Sequence, residues 1–143
     1  MEFEYLHITP AKALPELGNT PFRAVIIADM TVDKVWREKV AIWLVSSGCL
    51  YALAWGAACE AWHDAVDWAN ISVFGIAPIP DDHHVLTTWH PDESLAEVLW
   101  FAGHCASHPT VELKETRLIH VAESARRTEI LKAYRLSQGA GRD

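Results

Sequence analysis

Residues 49–70 read CLYALAWGAACEAWHDAVDWAN, and the reading of this stretch decides the fold. As far as Trp55 it is an apolar run. Gly56 then permits a sharp turn and a close backbone approach. Beyond it, Ala58, Trp62, Ala65 and Ala69 recur at the spacing of one helical face, and Glu60, Asp64 and Asp67 form an acidic stripe on another. The stretch is therefore strand, tight turn, helix, the unit from which parallel sheets are built.

The residues on either side extend the pattern. Upstream, FRAVIIA (22–28) is a β-branched run that suits a central strand buried on both faces. It ends at Asp29. Trp36, Val40, Trp43, Leu44 and Ser47 share one helical face, with Thr31 as the expected cap, Asp33 in the first turn and Gly48 as the stop. Downstream, Gly75, Pro78 and Pro80 mark a connection, and HHVLTTW (83–89) reads as a third strand. His90-Pro91-Asp92-Glu93 announces a helix whose apolar face is Leu95, Val98, Leu99, Ala102, Cys105 and Ala106. RLIHVA (117–122) is the fourth strand, and residues 123–136 form a last helix with Ile130, Leu131 and Tyr134 inward.

The expected fold is a three-layer α/β sandwich, flavodoxin- or Rossmann-like, with a four-stranded, mostly parallel sheet. Strand order 2-1-3-4 is favoured and 3-2-1-4 is the alternative. Residues 1–21 form an N-terminal extension in which Phe3, Tyr5 and His7 alternate as a short edge strand would. Residues 22–136 form the single domain and 137–143 a disordered tail. Ligands of such sheets bind beyond the carboxyl ends of the strands at the switch point. In the favoured order that rim gathers Asp29, Trp55, Gly56, Cys59, Trp89 and His90.

The composition excludes several classes. A chain of 143 residues is one domain. Its net charge of −7, with no basic cluster, repels nucleic-acid phosphate. Residues 40–59 carry no charge and match the length of a membrane span, but Ser46-Ser47-Gly48 interrupts them, so no membrane segment is expected. Three cysteines without C-x-x-C spacing argue against a disulfide framework and for a reducing cytoplasm, and the N-terminus lacks a signal-peptide pattern.

Catalytic chemistry has few candidates. No G-x-G-x-x-G or G-x-x-x-x-G-K-[ST] occurs, and the loop after the first strand holds two acids and no glycine. Cys59 opens a helix, where the dipole favours a thiolate, and His63 or His90 could serve as its base. The acids Glu60, Asp64 and Asp67 oppose this, and a small packed cysteine is the plain alternative. Asp29, His63, Asp64 and His90 offer metal donors. The cluster Asp81-Asp82-His83-His84 precedes its strand and belongs at the opposite edge. No metal or other cofactor is expected. Trp100, Phe101, His104 and His108 suggest a partly exposed aromatic surface suited to a protein partner. His120, inside a strand, reads as a satisfied core histidine.

The run W-G-x-x-C-x-x-W-x-D-x-V-D-W-A-N (55–70), with T-T-W-H-x-D-E-S-L (87–95) and H-P-T-V-E-L (108–113), resembles a family of small bacterial single-domain proteins of no known activity. The resemblance implies a bacterial, cytoplasmic protein and brings no known catalytic residues to carry over. Two functional expectations follow. One is a binding or interaction module, an accessory or immunity-type partner of another protein or a homodimer. The alternative is a small hydrolase-like enzyme in which Asp29, Cys59 and His90 meet at the rim, with Trp55, Gly56, Trp89 and Asp64 lining it.

Overall fold

The computed structural model describes residues 2–139. Five strands, β1 (Glu2–Ile8), β2 (Phe22–Ala28), β3 (Cys49–Gly56), β4 (Leu86–His90) and β5 (Glu115–Val121), form one parallel sheet in the order β1-β5-β2-β3-β4. Helices α1 (Lys34–Ser46) and α2 (Cys59–Phe74) pack on one face, and α3 (Leu95–His104) and α4 (Arg127–Ser137) on the other. The α/β class and the single parallel sheet agree with the sequence, but the sheet has five strands.

The favoured order 2-1-3-4 is overturned. The four expected strands stand as 3-2-1-4, the alternative, with β1 added outside the fourth. Burial explains the choice. β4 is short and only His90 in it is buried, which suits an edge, whereas β5 is buried along nearly its whole length and must lie inside. Residues 2–8, assigned to an extension, are an edge strand of the same sheet, paired with β5 from Glu2↔Glu115 to Ile8↔Val121. Residues 9–21 then cross β5 without a helix. Leu14 and Leu17 pack into the core there, and the Trp43 indole donates to the Pro15 carbonyl at 2.8 Å. Of the expected tail, Ser137 closes α4 and the Gln138 amide donates to the Leu99 carbonyl. Residues 140–143 lie outside the described residues.

Alternation in β2 splits the core in two. Phe22, Ala24, Ile26 and Ala28 face α1 and α2, while Val25 and Ile27 face α3 and α4. Trp62 is fully buried and meets Trp36 edge-on at 6.3 Å, locking α2 to α1. Helix starts differ from expectation where a better cap exists. Asp33, not Thr31, caps α1 by accepting from the Trp36 N–H, and Ser94 with Glu97 forms a capping box that starts α3 after Glu93.

Buried Arg23 donates to the carbonyls of Ala106 and Leu113 and to the Thr116 hydroxyl, which ties the loop before β5 to the central strand. His108, expected on the aromatic surface, is also buried. It donates to the His84 carbonyl and accepts from the Thr110 and Val111 N–H groups, so it shapes that loop instead. Among the described residues no helix is long and apolar enough to cross a membrane.

Candidate functional site

With β5 beside β2, the switch point lies between these two strands rather than where the favoured order put it. Asp29, immediately after β2, therefore meets His120 of β5 instead of the residues after β3 and β4. The His120 Nε2 lies 2.6 Å from the Asp29 carboxylate, and its Nδ1 lies 2.5 Å from the Tyr5 hydroxyl of β1. Arg126, just before α4, closes the circle. Its guanidinium donates to Asp29 at 2.5 Å and its backbone N–H to the Tyr5 oxygen at 2.9 Å.

The partners assign the tautomer. A carboxylate at Nε2 requires N–H there, so Nδ1 accepts the Tyr5 proton. Burial pushes Asp29 up, but the hydrogen bonds from Arg126 and His120, with the Arg126 charge, outweigh it and hold the carboxyl below its usual range. Burial lowers His120 below the usual imidazole range, and Asp29 offsets this only in part. Burial also raises the Tyr5 hydroxyl, against the Arg126 N–H.

Beside this ring His7 donates to the Ala122 carbonyl at 2.6 Å, and the Lys12 ammonium donates to its other nitrogen at 3.0 Å. Each polar group in the ring is satisfied by the others, so the arrangement joins β1, β2, β5 and α4 at the rim. It agrees with the reading of His120 as a satisfied core histidine. Tyr5 and Arg126 escaped the sequence reading. The only signals were the weak alternation of residues 3–7 and one arginine doublet.

The three residues proposed to converge each have their own surroundings. Cys59 is buried in the apolar cluster beneath α1 and α2. His90 lies on the opposite face against Phe101, at 5.5 Å. Strand β3 separates Asp29 from His90, a span of two inter-strand spacings, or roughly 9–10 Å. His90 instead bridges two residues of its own segment. The Thr88 hydroxyl lies 2.8 Å from Nε2, and the Glu93 carboxylate lies 3.0 Å from Nδ1. Trp55 lines the same corner, its indole donating to the Glu93 carbonyl at 2.8 Å.

On the other face of β4, Trp89 packs on His63 at 4.4 Å, and His63 reaches exposed Asp64 at 3.0 Å. Gly56 makes the turn between β3 and α2 at positive φ. Asp81, Asp82 and His83 form a short exposed 3-10 turn before β4, at the amino side as expected. Among the described residues no group of three or more His, Cys, Asp or Glu side chains is arranged to hold a metal ion.

The aromatic surface is present in part. Trp100 is half exposed and stacks on His104 with ring centroids 4.6 Å apart. Phe101 turns inward toward His90. Between α3 and α4 a groove of about 580 Å³ opens over Ala96, Trp100, Phe101 and Leu136, with Glu93 and Glu97 on its rim. Leu136, also half exposed, is its unforeseen member. Nothing in the pattern of α4 shows that its last turn would face α3.

A family described as a domain of unknown function (DUF7684) matches residues 3–137. No curated protein and no solved structure matches the chain.

Proposed function

We propose, for a chain that belongs to the DUF7684 family and inherits no activity from it, a role as a protein-interaction module that docks its partner in the α3–α4 groove. One observation supports this above others: Trp100 and Leu136, both half exposed, flank a single apolar groove. Exposed aromatics beside a pocket are the usual anchors of protein interfaces. Glu93 and Glu97 on the rim suit a partner that presents an apolar side chain flanked by basic ones. A second copy of the chain is the competing occupant, which makes a homodimer. A cytoplasmic placement fits the free cysteines Cys49, Cys59 and Cys105.

Site-specific photo-crosslinking in the native host tests the reading. A photoreactive phenylalanine in place of Trp100 or Ala96 should yield one discrete adduct, and the same probe at exposed Val35 on α1 should not. Leu136→Asp should remove the adduct. Trp100→Ala should cost about 1 kcal/mol of stability or less, as expected of a half-exposed side chain. Adducts no different from those at Val35 would end the proposal. An adduct of twice the chain mass would identify the occupant as a second copy.

A second reading keeps the enzymatic alternative but centres it on Thr88, His90 and Glu93. A hydroxyl, an imidazole and a carboxylate linked in series form the pattern of an activated nucleophile. On this reading the Thr88 oxygen takes the acetyl group of an activated ester such as p-nitrophenyl acetate, its proton passes to His90 and p-nitrophenolate departs; His90→Gln and Thr88→Val each abolish the label seen by mass spectrometry. Labelling that survives both substitutions, or never occurs, eliminates it.

A further inference from the structure

Helices α1 and α2 follow the neighbouring parallel strands β2 and β3 and return on the same face of the sheet, so they run side by side in the same direction. Between them a groove of about 490 Å³ opens to solvent. Its floor is Ala61 and Ala65, side chains too small to fill the space between the helices. Lys34 and Arg37 of α1 stand on one wall, Asp64 and Trp68 of α2 on the other. Trp68 is 67% exposed, more than any other tryptophan of the chain.

The two walls carry opposite charge. Helix α1 holds three cations, Lys34, Arg37 and Lys39, against one acid, Glu38, which also lines the groove. Helix α2 holds three acids, Glu60, Asp64 and Asp67, and no lysine or arginine. Yet among the described residues no ion pair crosses the groove. Asp64 and Asp67 turn to His63 of their own helix, and Arg37 reaches only the Val32 carbonyl, at 3.5 Å.

A surface with the same two charges in reversed order complements this one, and a second copy of the groove is such a surface. A two-fold axis running along the groove, parallel to both helices, lays α1 of one copy on α2 of the other at the same level, twice over. Lys34 and Arg37 then face Asp64 of the second copy, and the two Trp68 rings close over the alanine floor from opposite sides. We propose that the α1–α2 face is a two-fold homodimer interface, oriented by reciprocal Arg37–Asp64 pairs and anchored by Trp68. Charge complementarity fixes the register, and the aromatic ring supplies the buried area. This interface lies on the opposite face of the sheet from the α3–α4 groove and does not depend on it. Val35 lines neither groove.

Sedimentation equilibrium of the full chain is the test. A monomer–dimer equilibrium with a dissociation constant below about 100 μM is expected, weakening as salt is added. Arg37→Glu and Asp64→Arg should each weaken it about tenfold or more, because each sets like charges together twice. Mixed in equal amounts, the two variants should dimerise again, since the mixed dimer restores both opposite-charge pairs. Unfolding of either variant could not produce that rescue. Trp68→Ala should weaken the dimer, whereas Leu136→Asp, in the other groove, should leave it unchanged. A chain that stays monomeric up to about 300 μM would overturn the proposal. So would a dimer equally stable in both charge variants, or a mixture no more associated than either variant alone. A dimer lost with Leu136→Asp and kept with Arg37→Glu would overturn it too, and would move the self-contact to the α3–α4 groove.

Discussion

Gly56→Ala is expected to lower stability by roughly 3–5 kcal/mol, a large share of the roughly 5–15 kcal/mol that holds a domain of this size folded. Two effects add. Gly56 has φ of +97°, a conformation that L side chains rarely adopt, and a Cβ there would lie 2.2 Å from the Ala28 carbonyl oxygen. That oxygen cannot withdraw freely, because it accepts the Ala57 N–H at 2.9 Å and sits at the end of the β2–β3 pairing. Relief therefore means parting the two central strands at the rim. Gly75→Ala is the internal control. Its φ is +60° with ψ of −126°, but nothing lies within 4 Å of the added carbon, so only the backbone term of about 1–3 kcal/mol remains. Urea unfolding followed by tryptophan fluorescence compares the two. Equal losses would show that the close approach of β2 and β3 does not constrain the turn.

His120→Ala is expected to cost about 3–4 kcal/mol at pH 7.5, since it empties a fully buried site and removes partners from both Tyr5 and Asp29. The ring of hydrogen bonds also makes a pH signature. Both His120 and Asp29 titrate lower in the folded chain than in the unfolded one. In the window below the unfolded imidazole value of about 6.5, the unfolded chain binds the extra proton. The His120 contribution is therefore complete above that value and is lost as pH falls through the folded one. The Asp29 contribution is complete above about 3.9 and is lost at more acidic pH by the same sign. Wild-type stability should thus fall between pH 7.5 and 5.5 by more than that of the variant, the other histidines being common to both. Parallel losses in the two proteins would contradict the neutral, buried state of His120.

The helices and the inner strands are legible in the sequence because their signals are local. The 3.6-residue period of Trp36, Val40 and Leu44, the unbroken run at 22–28 and the glycine after Trp55 each act within a few residues of themselves. Strand β1 is less legible for a physical reason. As an edge strand it is half solvated, and its Glu4 pairs with Arg117 of the neighbouring strand rather than with any neighbour in sequence. The position of Arg126 depends in turn on where α4 begins, and Tyr5 helps decide that by accepting its N–H.

Asp29 is a candidate in the sequence alone, and its partner His120 reads there as a satisfied core residue. Their meeting was not foreseen, because it depends on which strand lies beside β2. They are 91 positions apart, and only the strand order 3-2-1-4 makes them neighbours. The same order leaves β3 between Asp29 and His90, so His90 takes Thr88 and Glu93 instead.

The sequence by itself thus determined the α/β class, the parallel sheet, the strand–turn–helix unit at residues 49–70 and the need for glycine at position 56, because periodicity and turn chemistry are properties of short segments. The tertiary structure alone decided the strand order, the fifth strand, the Tyr5–His120–Asp29–Arg126 ring and the α3–α4 groove. Each of these depends on contacts between segments far apart in the chain, settled by which strands can be buried on both faces and which must stay at an edge.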